Sequence, residues 1–217
     1  MELQTKRLIL RPWQERDAES LYKYASNPNI GPIAGWPPHT SVENSREIIK
    51  NVLSAPETYA VVLKETGEAV GSIGIMTTKS EIHSAKMADT ECEIGYWIGE
   101  PYWGQGLIPE GVNELLRYAF ENLQQTTVWC GYYDGNEKSK RAQEKCGFAY
   151  SHTEEKKACS IAERLSNRAF YQDNLGRLEE TYRRFEVSGK AIFDENNAIK
   201  RMVFLILDHL WMVFMPT

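Results

Sequence analysis

A glycine-rich segment, YWIGEPYWGQGLIPEG at residues 96–111, joins a strand-like run to an apolar helical pattern and contains four glycines and two prolines. Glycines let a ligand approach the backbone closely, and the N–H groups at the start of a helix have no intrahelical partner. Because the helix dipole is positive at this end, such a turn favours an anion. Pro109 suits the first helical turn, where its missing N–H costs little. The segment predicts a strand–turn–helix unit that either cradles a pyrophosphate or only packs the strand on the helix.

Two well-known phosphate-binding loops do not match this segment. A P-loop needs Lys followed by Ser or Thr after its second glycine, and here Leu107 and Ile108 follow instead. A dinucleotide-binding loop needs the spacing G-x-G-x-x-G, which Gly104, Gly106 and Gly111 do not provide. Nucleotide-triphosphate and dinucleotide chemistry are therefore not expected.

The first 150 residues predict a mixture of strands and helices. Apolar alternation predicts strands, and apolar positions three or four residues apart predict helices. We expect strands near 7–12, 59–63, 69–75, 92–98 and 128–132 and from 148, and helices near 17–25, 41–53, 109–123 and 137–145. Three antiparallel-looking strands precede the second half of the pattern, which does not fit a regular βαβ alternation. The predicted fold class is therefore α+β.

Charge and cysteine usage narrow the partners. The 217-residue chain carries a net charge of −5, and a nucleic-acid-binding surface normally needs a basic domain, so nucleic acid is not expected as a partner. Cys92, Cys130, Cys146 and Cys159 have neither the C-x-x-C spacing of a zinc site nor the pattern of a disulfide framework. The N-terminus also lacks the apolar core of a signal peptide. We therefore expect reduced thiols, no metal and a cytoplasmic protein.

The C-terminal region differs in character from the rest. We expect one domain over residues 1–156 and a divergent segment over residues 157–217 that is helical or forms an interface, which leaves a homodimer open. Residues 202–215 are the most apolar run, but they include Asp208 and His209 and are short for a membrane span. Core or interface packing is favoured over membrane contact or a non-native tail, so no membrane is expected as a partner.

Five short motifs follow one another along the chain: Thr5–Pro12, Glu93–Ile98, Trp103–Ile108, Asn136–Ser139 and Glu144–Phe148. Together, over about residues 3–155, they resemble the GCN5-related N-acetyltransferase (GNAT) superfamily, and within it the ribosomal-protein-alanine N-acetyltransferase branch. The resemblance implies the GNAT fold, a mixed, mostly antiparallel central sheet flanked by helices, with splayed strands at the acetyl-coenzyme A site. Trp103 and Ile108 depart from the family's phosphate motif, Gln/Arg-x-x-Gly-x-Gly/Ala, at its first and last positions.

The resemblance also implies how acetyl-coenzyme A is bound as a cosubstrate. In the family, the strand before the glycine turn splays from its neighbour and hydrogen-bonds the pantetheine arm like an added strand. The pyrophosphate lies on backbone N–H groups of the turn. The implied cofactor-binding residues are Tyr96, Trp97, Ile98, Gly104, Gln105, Gly106, Leu107, Ile108, Asn136 and Ser139. For Asn136, an N-cap role in the following helix is a compatible second interpretation.

Two residues are implied as catalytic, Ser139 and Glu93. Ser139 matches a serine near the sulfur in the narrower branch, and its hydroxyl could hydrogen-bond or protonate a leaving thiolate. Many members carry a tyrosine general acid at the position of Gln143. Glu93, with Glu91 as second candidate and His39 as a weaker one, could accept the proton of the amine. The alternatives are an ordinary first-turn serine and carboxylates solvated at a strand edge.

These expectations combine into one predicted function and one alternative. The sequence predicts an acyltransferase that moves an acetyl group directly from acetyl-coenzyme A to a primary amine, either a protein N-terminus or a small molecule. The alternative is a non-catalytic acyl-coenzyme A-binding or sensor module, which Gln143 and the divergent C-terminal segment favour.

Overall fold

The computed structural model describes residues 1–80, 87–158 and 165–174. The strands of these ranges are Leu3–Gln4 (β1), Leu8–Arg11 (β2), Thr58–Leu63 (β3), Ala69–Met76 (β4), Glu91–Ile98 (β5), Thr127–Tyr133 (β6), Ala149–Ala158 (β7) and Leu165–Asn174 (β8). The helices are Ala18–Ala25 (α1), Gly31–Ala34 (α2), Val42–Ile48 (α3), Leu107–Glu121 (α4) and Glu137–Lys145 (α5). A π-helical turn, Ile49–Leu53, extends α3.

The eight strands of the described chain form one sheet in the order β1-β2-β3-β4-β5-β6-β8-β7. Neighbouring strands are antiparallel except β5 and β6, which run parallel. The register of this parallel pair ends where Ile94 lies opposite Cys130, although β5 continues to Ile98 and β6 to Tyr133. The two strands therefore separate at their carboxyl ends. The predicted α+β class, with a mixed, mostly antiparallel sheet and a splay at this place, is confirmed.

Helices cover both faces of the sheet because successive residues of a strand point to opposite sides. In β3, Val61 joins the core beneath α4, whereas Ala60 and Val62 pack with α1 on the other face. Helix α4 forms because its apolar residues recur every three or four positions and face the sheet. The buried ones include Val112, Leu115, Leu116, Ala119 and Phe120. This packing fixes the start of α4 against the splayed end of β5.

The C-terminal region corrects one sequence-based expectation. Residues 165–174 were expected in a helical or interface-forming segment, but they form β8, which pairs with β6 from Thr127 opposite Asn174 to Tyr133 opposite Arg168. The helical prediction is wrong here because the backbone groups of β6 take β8 as their antiparallel partner. The predicted boundary at residue 156 falls inside β7. Residues 202–215 lie outside the described ranges, so their predicted packing stays a prediction. Within the described ranges, no helix combines the length and apolar character that crossing a membrane requires.

Candidate active site

A cavity of about 670 Å³ opens where β5 and β6 separate. Its walls come from the end of β5, the glycine turn before α4, the first turns of α5, and α2. All the predicted cofactor-binding positions except Gln105 line it, namely Tyr96, Trp97, Ile98, Gly104, Gly106, Leu107, Ile108, Asn136 and Ser139. A volume of this size falls in the range of small-molecule sites. The fold therefore brings residues from three separate sequence motifs around one space.

The end of β5 presents a strand edge to this cavity. The N–H of Gly99 donates to the carbonyl of Val70 on β4 at 2.8 Å. Because backbone groups of alternate residues point to opposite sides of a strand, those of Ile98 and Tyr96 point away from β4. The indole Nε1 of Trp103 donates to the carbonyl oxygen of Ile98 at 3.0 Å, which fits this direction. This edge is suited to an extended ligand that adds as a strand.

The glycine turn before α4 has the geometry of an anion cradle. Gly104 and Gly106 have φ angles of +77° and +74°, in the left-handed region that other residues rarely adopt. Gly106 is the N-cap of α4, so the first N–H groups of this 15-residue helix lie next to it. The side chain of Ile108 is 7% exposed and belongs to the main core. It therefore packs inward and leaves the turn accessible, despite its departure from the family motif.

Glu110 forms an ion pair with Arg7 on the outside of this turn, and Thr5 adds a hydrogen bond to it; these three residues are called the ion-pair brace. Glu110 accepts hydrogen bonds from Thr5 Oγ1 at 2.6 Å and from the backbone N–H and the Nε of Arg7, each at 2.7 Å. Arg7 Nη1 also donates to the carbonyl oxygen of Gln105 at 3.0 Å. The Gln105 side chain donates to the carbonyl oxygen of Pro101, which explains why Gln105 does not line the cavity. Burial alone would raise the pKa of Glu110, but these hydrogen bonds outweigh it and lower the pKa.

Three basic residues of α5, which the sequence analysis missed, also line the cavity. Lys138, Arg141 and Lys145 are three and four positions apart and so share one helix face. Lys138 Nζ lies 3.4 Å from the centroid of the Trp103 ring, a cation–π contact. Trp103 stands at the position of the Gln or Arg in the family motif. Through the cation–π contact, the ammonium group of Lys138 brings a positive charge to this position. The spacing of the basic residues was the signal that could have revealed this face.

Asn136 and Ser139 begin helix α5 at the cavity wall. The Oδ1 of Asn136 accepts the N–H of Ser139 at 3.1 Å, so the N-cap interpretation of Asn136 is confirmed. The Oγ of Ser139 lies 3.0 Å from the hydroxyl of Tyr96 and accepts from Gln143 Nε2 at 3.2 Å. Burial, the largest cause, raises the pKa of Tyr96 well above its ordinary value. Gln143 therefore contacts the serine hydroxyl from its own helix.

The two predicted carboxylates lie away from this cavity lining. Glu93 is fully buried and lies opposite Met76 of β4 and Trp129 of β6, so the interpretation as a solvated edge charge is wrong for it. It is two and four positions from Gly95 and Trp97, on the strand face opposite Tyr96. Glu91 accepts hydrogen bonds from the Trp129 indole at 2.8 Å and the Ala88 N–H at 3.0 Å. These contacts give Glu91 a structural role, and Glu93 as a base stays a prediction.

His39 has a structural environment. Its Nδ1 lies 2.8 Å from Ser45 Oγ, and its ring packs edge-on against Trp36. Trp36 packs in the same way against Trp97. Burial lowers the pKa of His39, which keeps the ring neutral. This aromatic cluster fixes the segment around α2 against the β5 face that carries Trp97.

Comparison with known proteins identifies the family of this fold and cavity. The sequence profile of the acetyltransferase (GNAT) domain matches residues 7–149. The chain belongs to the GNAT acetyltransferase family. The family model and the N-acetyltransferase relatives support an acetyltransferase, that is, an enzyme that transfers an acyl group.

Individual relatives agree with this assignment. The uncharacterized N-acetyltransferase p20 of Bacillus licheniformis is 32% identical over 126 residues, which are 56% of this chain and 67% of that protein. A GNAT-family acetyltransferase from Bacillus anthracis superposes with a TM-score of 0.68 at 20% identity, covering 80% of this chain and 98% of that one. The ribosomal-protein-S5-alanine acetyltransferase of Vibrio fischeri does so with a TM-score of 0.62 at 17% identity, covering 80% and 96%. At these identities, the two structures show a shared fold alone.

Proposed function

We propose that this GNAT acetyltransferase transfers an acetyl group directly from acetyl-coenzyme A to a primary amine, either a protein N-terminus or a small-molecule amine. The observation that carries the proposal is the cavity at the splay, where an open strand edge, a glycine turn at a helix start and a basic helix face meet. The strand edge suits the pantetheine arm of coenzyme A, and the glycine turn and the basic face suit its phosphates.

The pantetheine arm would bind along the edge of β5. Among the described strands, β6 no longer pairs with β5 beyond Ile94, so the backbone groups of Tyr96 and Ile98 that point away from β4 suit the two amides of pantetheine. The pyrophosphate would bind at the N–H groups from Gly104 to Ile108, where the dipole of α4 is positive. Lys138, Arg141 and Lys145 supply the charge that several phosphate oxygens need. Hence the residues present fit coenzyme A.

The reaction requires a neutral amine, an acceptor for its proton and stabilisation of the leaving thiolate. A backbone N–H near Ile98 would meet the oxygen that becomes negative on attack, as donors in an oxyanion hole do. Ser139 lines the cavity, and its hydroxyl would donate a hydrogen bond to the sulfur of the leaving thiolate. Glu93 is our candidate for the proton acceptor, and its buried position requires that it act through an intervening water. No metal is part of this proposal.

A cytoplasmic location belongs to the same proposal. Within the described residues, Cys92, Cys130 and Cys146 are buried and are not joined in a disulfide, which supports a reducing compartment. We also keep a homodimer as part of the proposal, with residues 157–217 as the segment that would form the interface.

Incubation with acetyl-coenzyme A and a panel of amines tests the function. The panel includes peptides with free N-terminal alanine or serine, polyamines and amino acids, and thiol release is followed over time. We expect release that depends on one amine class, with the acetylated product identified by mass spectrometry. Binding of acetyl-coenzyme A without release for any amine would favour the sensor alternative, which the glutamine at position 143 supports. Failure to bind acetyl-coenzyme A at all would overturn the cavity assignment.

A further inference from the structure

Two side chains, those of Tyr96 and Gln143, contact the hydroxyl of Ser139 in the first turn of α5. The hydroxyl of Tyr96 lies 3.0 Å from Ser139 Oγ and 3.1 Å from the backbone carbonyl oxygen of Ser139, so its single hydrogen has two acceptors within reach. Gln143 Nε2 donates to Ser139 Oγ at 3.2 Å. Tyr96 and Ser139 line the cavity, whereas Gln143 is 1% exposed and approaches from the protein interior. The serine is therefore held from two sides and open on a third.

The hydrogen-bonding capacity of a serine hydroxyl limits what this cluster can do. A hydroxyl has one donor hydrogen and two acceptor lone pairs. The amide N–H of Gln143 uses one lone pair, and the hydroxyl of Tyr96 uses the other when its single hydrogen turns to Oγ rather than to the backbone carbonyl of the same serine. When both donate, the hydrogen of Ser139 must point away from both neighbours. The remaining direction is the cavity.

We propose that Tyr96 is a positioning residue, and that its hydroxyl, together with the Gln143 amide, fixes the Ser139 hydroxyl as a hydrogen-bond donor to the sulfur of bound coenzyme A. This inference rests on the proposed function. It gives the side chain of Tyr96 a role separate from the backbone contact expected of the same residue. It also explains how the site works with glutamine at position 143, since the tyrosine hydroxyl comes from β5 instead of α5.

Acetyl transfer requires no net proton from the hydroxyls of Tyr96 and Ser139. When the tetrahedral adduct collapses, the electron pair of the C–S bond goes to sulfur and the electron pair of the oxyanion re-forms the C=O bond. The proton lost by the amine nitrogen goes to the base or to water, and the thiolate later takes a proton from water. A thiol has an ordinary pKa of about 8.5, so a thiolate needs a donor beside it more than a strong acid. The raised pKa of Tyr96 keeps its hydroxyl protonated, so it remains a donor throughout.

Binding of coenzyme A and of desulfo-coenzyme A, measured by titration calorimetry across the pKa of the thiol, tests this role. In the wild-type protein, we expect the preference for coenzyme A to increase as the pH rises and the thiolate forms. Tyr96→Phe, which removes only the hydroxyl, should reduce this preference by about fivefold to tenfold at high pH, the range for one hydrogen bond. Gln143→Met, which removes the amide donor, should act in the same direction.

Tyr118→Phe is the matched control. It removes the hydroxyl of another buried tyrosine, whose partner is Glu57 at 3.3 Å and which lies outside the cavity lining. It should leave the ratio of the two affinities unchanged. If Tyr96→Phe and Gln143→Met also leave that ratio unchanged while both ligands bind, the inference is overturned and the proposed function stands. If neither ligand binds the wild-type protein, the proposed function falls, and this inference falls with it.

Turnover supplies an independent readout. We expect Tyr96→Phe to lower kcat about tenfold while the KM for acetyl-coenzyme A stays within about twofold. Since Tyr96 acts through the serine, the same substitution in a Ser139→Ala background should have no further effect on kcat. Additive losses in the double variant would contradict the inference.

Discussion

The two halves of strand β5 have the same neighbour on one side and different surroundings on the other. From Glu91 to Ile94, the strand pairs with β6, and from Glu93 it also pairs with β4; Cys92, Glu93 and Ile94 are at most 1% exposed. From Gly95 to Ile98, it pairs with β4 while β6 turns away, and Tyr96 and Trp97 become half-buried. A single strand thus serves as core in its first half and as a binding edge in its second. The two halves differ because β6 pairs only with the first.

Truncation of the closed half should have the largest effect, and it should be an effect on stability. Ile94 is 1% exposed in the main core, so Ile94→Ala should lower the free energy of unfolding by about 3 kcal/mol. Affinity of the folded protein for coenzyme A should stay unchanged. Urea unfolding and calorimetric titration measure the two quantities. A large loss of affinity per folded molecule would show that the closed half also belongs to the binding site.

Substitution in the glycine turn should mainly lower the affinity for coenzyme A rather than the stability. Gly106→Val places a branched side chain at a φ of +74°, so the first N–H groups of α4 lose their alignment. We expect coenzyme A affinity to fall about 100-fold, since several charge-assisted hydrogen bonds are lost together.

Gly67→Val is its matched control. Gly67 has a similar φ of +71°, lies in the turn between β3 and β4, and is not part of the cavity wall. The two variants should lose similar stability, measured by thermal unfolding, and only Gly106→Val should lose affinity. Equal affinities in both variants would contradict the assignment of the turn as the pyrophosphate cradle.

Removal of the Ser139 hydroxyl should affect turnover more than binding. Loss of a donor to a charged sulfur costs about 1.5–3 kcal/mol, so Ser139→Ala should lower kcat about tenfold to 100-fold. The KM for acetyl-coenzyme A should change little. Ser139→Thr retains the hydroxyl and serves as the control in steady-state kinetics. Wild-type rates in Ser139→Ala would remove Ser139 from catalysis and leave this end of the cavity a role in binding alone.

The ion-pair brace should give the smallest effect, one that depends on pH. The folded state lowers the pKa of Glu110, so its contribution to stability is fully present above the ordinary Glu pKa of about 4.3. It is lost as the pH falls through the lower, folded-state pKa. Glu110→Gln should therefore reduce the free energy of unfolding by about 1 kcal/mol at neutral pH. The difference from wild type should shrink below about pH 4, as measured by urea unfolding at several pH values. A constant difference down to pH 3 would argue against the ionised brace.

Local features of the chain were predictable from sequence. The glycine turn depends on residues that are neighbours in the chain, and so does the N-cap of α5, where Asn136 and Ser139 are three residues apart. Turn and cap chemistry is set by such short spacings. The splay itself came from the resemblance of several motifs to the family, and the register of β5 and β6 confirms it.

Features that depend on distant segments were not predictable in the same way. Tyr96 meets Ser139 from 43 residues away, and nothing in the local pattern of either segment shows that contact. Strand β8 is polar and shows no clear alternation, and it forms because the edge of β6 accepts it. The alternation of β5 did place Glu93 and Tyr96 on opposite faces. Which of the two faces meets Ser139 is decided by where α5 packs.

Trp103 gives the cavity an optical reporter of its own. Its indole N–H donates a hydrogen bond to the carbonyl oxygen of Ile98, and the ammonium group of Lys138 lies over its ring. A ligand on that edge would compete for the carbonyl, and phosphate groups in the turn would draw the ammonium away. Both changes alter the polarity around the indole, so occupancy should shift the emission of this tryptophan. Comparison with a Trp103→Phe variant would separate its signal from that of the other tryptophans. A residue that departs from the family motif thus becomes the means of following the ligand in solution.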